Sequence, residues 1–246
     1  MKLLVKIQVD RPLILPINYL HILQAIIYRG IGDEGGMSTF LHDTGYRFEK
    51  RSYRMFTFSW LQGKYEIVNK QIIFRNQVFF EVRSPENLLI LKMMKNFHDN
   101  GVCFGEKHYR NVEVLVSDEM VEENNIRIKM LTPICVYSTA EDGNTYFFKP
   151  EDEGFSEKLD YSFRRKYAAY TGIVPEEGIS IRVINILPKD KIVTRYQGTM
   201  LSGYKGEYQI AGKRKYLDFL YQTGLGSKNT QGFGMFDIVE GEQICL

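Results

Sequence analysis

Histidine, cysteine and tryptophan are scarce in this chain. Its 246 residues include four histidines, three cysteines and one tryptophan. The cysteines, Cys103, Cys135 and Cys245, are odd in number and far apart, and no Cys-x-x-Cys pair occurs. Neither a disulfide framework nor a zinc site is indicated, and the pattern fits a reducing cytoplasm. No run approaches the roughly 20 apolar residues of a membrane helix. The opening Met1-Lys2-Leu3-Leu4-Val5-Lys6-Ile7 sets charge into its apolar run and reads as a strand, not a signal peptide. A dominant charge is missing too. The formal net charge of +2 permits a nucleic-acid partner without demanding one, because phosphate binding depends on local clusters. With 44% hydrophobic and 25% charged residues, the chain is globular rather than disordered. Aromatics are plentiful by contrast, at 16 tyrosines and 16 phenylalanines. Such rings stack on unpaired bases, and they also fill cores.

Periodicity divides the chain into two similar series. Strand 2–9 leads, through a loop marked by Pro12 and Pro16, to a helix over 17–29. Gly30 is expected to close that helix, and one or two helical turns are expected over 38–42. Strands follow at 55–61, 64–68, 71–75 and 78–83. Ser84-Pro85-Glu86 then carries the N-cap, first-turn proline and acidic residue of a helix running to Asn100, before a strand at 109–116. The second series has strands at 126–131 and 134–138, an excursion at 145–149 and a helix over 155–170. Strands at 178–186, 191–199 and 203–210, a helix over 213–222 and a strand at 233–239 complete it. Two β-α-β-β-α-β units predict an α+β protein of tandem ferredoxin-like (RRM-like) domains, 1–123 and 124–246. The division falls in the acidic run 117–125.

Gly224-Leu225-Gly226-Ser227-Lys228-Asn229-Thr230-Gln231-Gly232-Phe233-Gly234 is the most specific segment. Its glycines let the backbone approach a partner closely, and free N–H groups in such a loop can nest a phosphate. The plainer alternative is a helix C-cap followed by a tight turn. The segment is neither a P-loop nor a dinucleotide fingerprint. The pattern Gly224-x-Gly226-x-Lys228-Asn229-x-x-Gly232-Phe233-Gly234-Met235 resembles the terminal signature of the RAMP superfamily. Ile26-Ile27-Tyr28, Phe40-Leu41-His42, Phe56-Thr57-Phe58-Ser59 and Leu131-Thr132-Pro133-Ile134 extend the likeness over nearly the whole chain. Together they resemble the CRISPR-associated protein 6 family, endoribonucleases that cut CRISPR precursor RNA within its repeats to make guide RNAs.

That resemblance implies a catalytic set. His42 is the proton-transfer residue, as general base or general acid. Tyr28 matches the family's tyrosine, although a helix-end aromatic packed on a sheet is the plainer reading. The basic partner is Arg54, with Lys50 and Arg51 as alternatives. The RNA's own 2′-hydroxyl is the nucleophile, so no metal or cofactor is expected. The products are a 2′,3′-cyclic phosphate and a 5′-hydroxyl. Lys213, Arg214 and Lys215 are expected to grip RNA with Gly224, Gly226, Lys228, Asn229, Gly232 and Gly234. Arg164-Arg165-Lys166 and Lys205 could extend the same positive face, although charge runs are commonly solvated surface. The expected partner is CRISPR repeat RNA, with or without an effector complex. The expected assembly is a monomer or homodimer in the cytoplasm, away from membranes. A non-catalytic RAMP scaffold subunit is the alternative, and it would need neither Tyr28 nor His42.

Overall fold

The computed structural model describes residues 1–32, 36, 40 and 44–239. The short element expected over 38–42 lies outside them apart from Phe40. His42 and Cys245 lie outside them too.

The N-terminal sheet is built on β1 (Lys2–Pro16). Leu3, Val5 and Ile7 alternate inward and are fully buried, while Lys6 faces out to Glu113. β1 pairs antiparallel with β4 (Gln71–Arg83) on one side and with β5 (Val112–Ser117) on the other. β2 (Thr57–Phe58) and β3 (Gln62–Val68) both line the far edge of β4. Helices α1 (Leu20–Ile31) and α2 (Asn87–Asn100) cover one face. Leu20, Leu23, Ile26, Ile27 and Ile31 bury the inner stripe of α1, each contributing about 1.5–3 kcal/mol.

The C-terminal sheet has the order β7 (Ser180–Asn185), β8 (Glu207–Ala211), β6 (Asn125–Met130), β9 (Phe236–Ile238), all antiparallel. Helices α3 (Phe155–Thr171) and α4 (Arg214–Thr223) complete this half. Each half therefore places its first strand between its third and its last, which is the ferredoxin-like order. Among the described residues, four two-stranded ribbons are inserted, at Tyr46–Phe48/Arg51–Tyr53, Val102–Phe104/Lys107–Tyr109, Tyr137–Thr139/Thr145–Phe147 and Lys191–Tyr196/Thr199–Tyr204. No helix among the described residues is long and apolar enough to cross a membrane.

Several boundaries differ from expectation. β1 runs on through Pro12 because the pairing shifts between Val9 and Leu13, which frees the proline from the ladder. The two strands expected at 71–75 and 78–83 are one, with Asn76 at positive φ inside it. Gly30 does not cap α1. It lies inside the helix, where a Cβ would come 2.4 Å from the Phe97 ring, and Gly32 forms the cap. Ser84 is not the N-cap of α2, which is Glu86. The Ser84 hydroxyl instead donates to the Met55 carbonyl (2.5 Å) and accepts from the Glu86 N–H (3.0 Å). The strand expected at 203–210 is broken at Gly206, whose φ is 110°.

Candidate nucleic-acid interface and active site

The glycine-rich segment is a folded knot around one side chain. Asn229 is buried. Its amide donates to the carbonyls of Leu225 (2.9 Å) and Phe233 (3.0 Å), and its Oδ1 accepts from Lys166 (3.0 Å). The glycines make room for this closure. A Cβ at Gly234 would stand 2.0 Å from the Leu225 carbonyl oxygen, and φ there is +81°. Such a backbone is open to glycine and strained for other residues.

This knot seats between the halves. Trp60 Nε1 donates to the Gly232 carbonyl (2.6 Å), and Gln24 Nε2 donates to the Thr230 carbonyl (2.5 Å). From the C-terminal half, the Ser227 N–H bonds the Cys135 carbonyl and the Gly234 N–H bonds the Pro133 carbonyl. The two lobes thus meet on the loop itself. A second fastening lies at the end of β4. The Arg83 side chain is buried, donates 2.6 Å hydrogen bonds to the Phe236 carbonyl and to Asp237, and lies 3.9 Å from the centre of the Tyr221 ring.

Facing the loop stands the ribbon 46–53 and the residue that leaves it, Arg54. Arg54 hydrogen-bonds the Tyr28 phenol at the end of α1 and donates to Ser52 Oγ (3.3 Å). Burial pushes the Tyr28 pKa up, and the Arg54 charge offsets only part of that. The phenol therefore stays protonated at neutral pH and can donate a hydrogen bond. Tyr28 also packs edge-on against Phe56, so it is both a packing and a polar residue. Phe40 and Thr44, which flank His42 in the chain, lie against this ribbon. Phe40 meets the Tyr46 ring, and the Thr44 carbonyl accepts from Ser52.

Between ribbon and loop opens a cleft of about 470 Å³. Arg51, Tyr53 and Arg54 form one wall, and Ser227, Lys228, Thr230 and Gln231 form the other. Tyr137 lies beside Lys228, with the ammonium 5.4 Å from its ring centre. No carboxylate lines the cleft among the described residues. No group of three His, Cys, Asp or Glu side chains converges on a metal position among them either.

The sequence candidates thus divide. Tyr28 and Arg54 come together, and Lys228, Gly226 and Asn229 line the same cleft. Gly224, Gly232 and Gly234 hold up the knot from behind. Lys50 is exposed on the turn of the ribbon and is not a wall residue. Lys213, Arg214 and Lys215 open α4 at the end away from Gly224, about 15 Å along the helix. There Lys213 pairs with Glu177, Arg214 donates to the Val121 carbonyl, and Lys215 lies by the Tyr216 ring. Arg164-Arg165-Lys166 is not one face. Arg164 pairs with Asp160, Arg165 with Glu49, and Lys166 is buried beneath the loop. Lys205 lies over the Trp60 ring. Sequence reasoning missed Gln24, Tyr137 and the separate role of Lys166, since no local pattern distinguishes them.

Two ferredoxin-like units closed on a glycine-rich loop define a RAMP-type architecture. A solved structure described as "An RAMP protein binding different RNA substrates" shares the fold with a TM-score of 0.79 and 22% identity, over 98% of this chain and 100% of that one. Residues 116–238 match the family described as CRISPR associated protein Cas6, C-terminal, and the chain belongs to the Cas6 family. "CRISPR-associated endoribonuclease Cas6 1" of Methanocaldococcus jannaschii is 25% identical over 254 residues, covering 98% of this chain and 93% of that protein. "CRISPR-associated endoribonuclease Cas6" of Pyrococcus furiosus is 24% identical over 240 residues, covering 95% and 87%.

Proposed function

We propose that this chain is a cytoplasmic, metal-independent endoribonuclease that binds CRISPR precursor RNA and cuts it within the repeats. The observation that carries the reading is the Arg54–Tyr28 pair, with Arg54 on the cleft wall that faces the glycine-rich loop. The names of its relatives support it. Residues 1–123 carry the chemistry and 124–246 supply the loop, in a monomer or homodimer that can serve an effector complex.

The 2′-hydroxyl oxygen beside the scissile phosphate attacks phosphorus, and the bond to the 5′ oxygen breaks. The products are a 2′,3′-cyclic phosphate and a 5′-hydroxyl. His42 takes the proton from the attacking hydroxyl or gives one to the leaving oxygen. The Arg54 guanidinium meets the negative charge that builds on the phosphoryl oxygens. The Tyr28 phenol donates to the phosphate or orients the hydroxyl. Arg51, Lys228 and the loop hold the flanking backbone, with Lys213, Arg214 and Lys215 as an outlying contact for a longer RNA.

The test is cleavage of the source organism's repeat RNA in EDTA, comparing wild type with His42→Ala. A control RNA carries one 2′-deoxy at the cut site. Cutting by wild type alone, with the deoxy RNA bound but intact, is the expected result. RNA bound by wild type and never cut at any pH makes the chain a scaffold subunit instead.

A further inference from the structure

β3 is an open edge of the N-terminal sheet. It pairs with β4 on one side and with no strand among the described residues on the other. Lys64 to Val68 are all exposed. Alternate backbone N–H and C=O groups therefore face outward, ready to join another strand. The edge is also apolar. Tyr65 is 58% exposed, Ile67 54% and Val68 45%. Ile14, in the same cross-strand row as Glu66, and Ile17 beyond it add to the patch.

Charge on such an edge commonly keeps other strands away. Here the two charges are opposite in sign and flank Tyr65, the midpoint of Gln62–Val68. A second copy laid antiparallel, with Tyr65 against Tyr65, gives every residue of the strand a partner. Gln62 meets Val68, Gly63 meets Ile67, and Lys64 meets Glu66. Opposite charges across a strand pair attract, and like charges repel. Moving the axis by one residue sets Lys64 against Lys64 or Glu66 against Glu66, so charge selects the same register as full overlap. Glu66 already holds Arg75 through one oxygen (2.5 Å) and is half exposed, which leaves its other oxygen for the second copy's ammonium. Tyr65 and Ile67 share the face of Phe74 and Ile72, and the Tyr65 ring packs against Phe74. Joined edges would merge these side chains into one apolar strip, with Gly63 leaving space for the opposing Ile67.

We propose that two copies of this chain pair antiparallel through β3, about a two-fold axis at Tyr65, into a homodimer whose N-terminal sheet runs on from one molecule into the other. Each contact is then made twice. No residue of β3 lines the cleft, so the inference stands apart from the nuclease reading.

Sedimentation velocity over about 1–100 μM protein measures the assembly. Wild type is expected to dimerise, and less so as salt screens the charge pairs. Lys64→Glu sets glutamates against each other twice, and Glu66→Lys does the same with lysines. Each alone should raise the dimer dissociation constant by at least about tenfold. An equal mixture of the two should dimerise, because each chain then meets its opposite, and the double variant Lys64→Glu/Glu66→Lys should match wild type. If a charge variant fails to fold, Tyr65→Cys decides. Residues directly opposite in an antiparallel pair have Cα atoms about 4.5–5.5 Å apart, within disulfide range. That variant should cross-link to itself in air, while wild type does not. Wild type that stays monomeric at every concentration overturns the proposal. A dimer indifferent to both charge reversals, or a mixture that fails to associate, overturns it too.

Discussion

Both amide hydrogens of Asn229 stay inside the loop, on the carbonyls of the buried residues Leu225 and Phe233. Arg54 instead reaches the cleft. The two residues should therefore fail differently. Asn229→Ala strands two carbonyls and removes an acceptor from Lys166, and each unmet group costs about 1–3 kcal/mol. Its melting temperature and RNA affinity are expected to fall together, as read by thermal melts and fluorescence polarisation. Arg54→Ala should leave the melt near wild type and lower the single-turnover cleavage rate by about 10²–10³-fold. Lys50→Ala, on the exposed turn, should cut at nearly the wild-type rate. Equal losses for the two cations would return the basic role to Lys50. Tyr28 and Arg54 could be proposed as a pair from the sequence because short motifs surround them, and the structure brings the two side chains together. Lys166 could not be found that way. Nothing local separates a solvated lysine from one folded under a loop more than fifty residues further along the chain.

Elements were legible where side-chain period and burial agree, as in β1, α2 and α3. They were misread where backbone geometry rules. Gly30 has the look of a helix stop, yet it is a contact point that lets α1 approach α2 through Phe97. The ribbon 46–53 has no strong alternation and went unmarked, although it carries the wall of the cleft. Gly234→Ala tests the loop as an element. With its Cβ 2.0 Å from a carbonyl oxygen, it is expected to fold poorly, with low soluble yield and a depressed melt. Arg83 tests the second fastening. Burial raises the Glu81 pKa, and the Arg83 charge is what chiefly opposes that rise. In Arg83→Met, removing one partner of this buried pair should cost about 3–5 kcal/mol at pH 8. Glu81, with its folded pKa above its unfolded one, then binds more protons folded than unfolded, so stability falls as pH rises through that folded value. Denaturant melts should accordingly show a smaller loss at pH 5 than at pH 8.

At the scale of the molecule, the two cores are interlocked. Cys135, Tyr196, Leu201 and Phe233 of the second half pack into the first core, and Met55 of the first half packs into the second. The repeated β-α-β-β-α-β order was readable from the sequence, but this exchange was not, since it depends on which faces meet. The cleft between the halves offers three cations on its walls, Arg51, Arg54 and Lys228. For single-stranded RNA that predicts a slope of about −2 in log affinity against log salt. A much steeper slope would bring in Lys213, Arg214 and Lys215 as further phosphate contacts.

Gln24 and Tyr28 are one helical turn apart on α1 and share a face. The first holds the Thr230 carbonyl of the loop and also accepts from the Tyr196 hydroxyl, while the second holds Arg54. The helix is therefore a ruler with a mark at each end of one turn. On the nuclease reading proposed above, a nucleotide on the loop would be measured off against the phosphate at Arg54, and the spacing between grip and cut would be written into the pitch of a single helix.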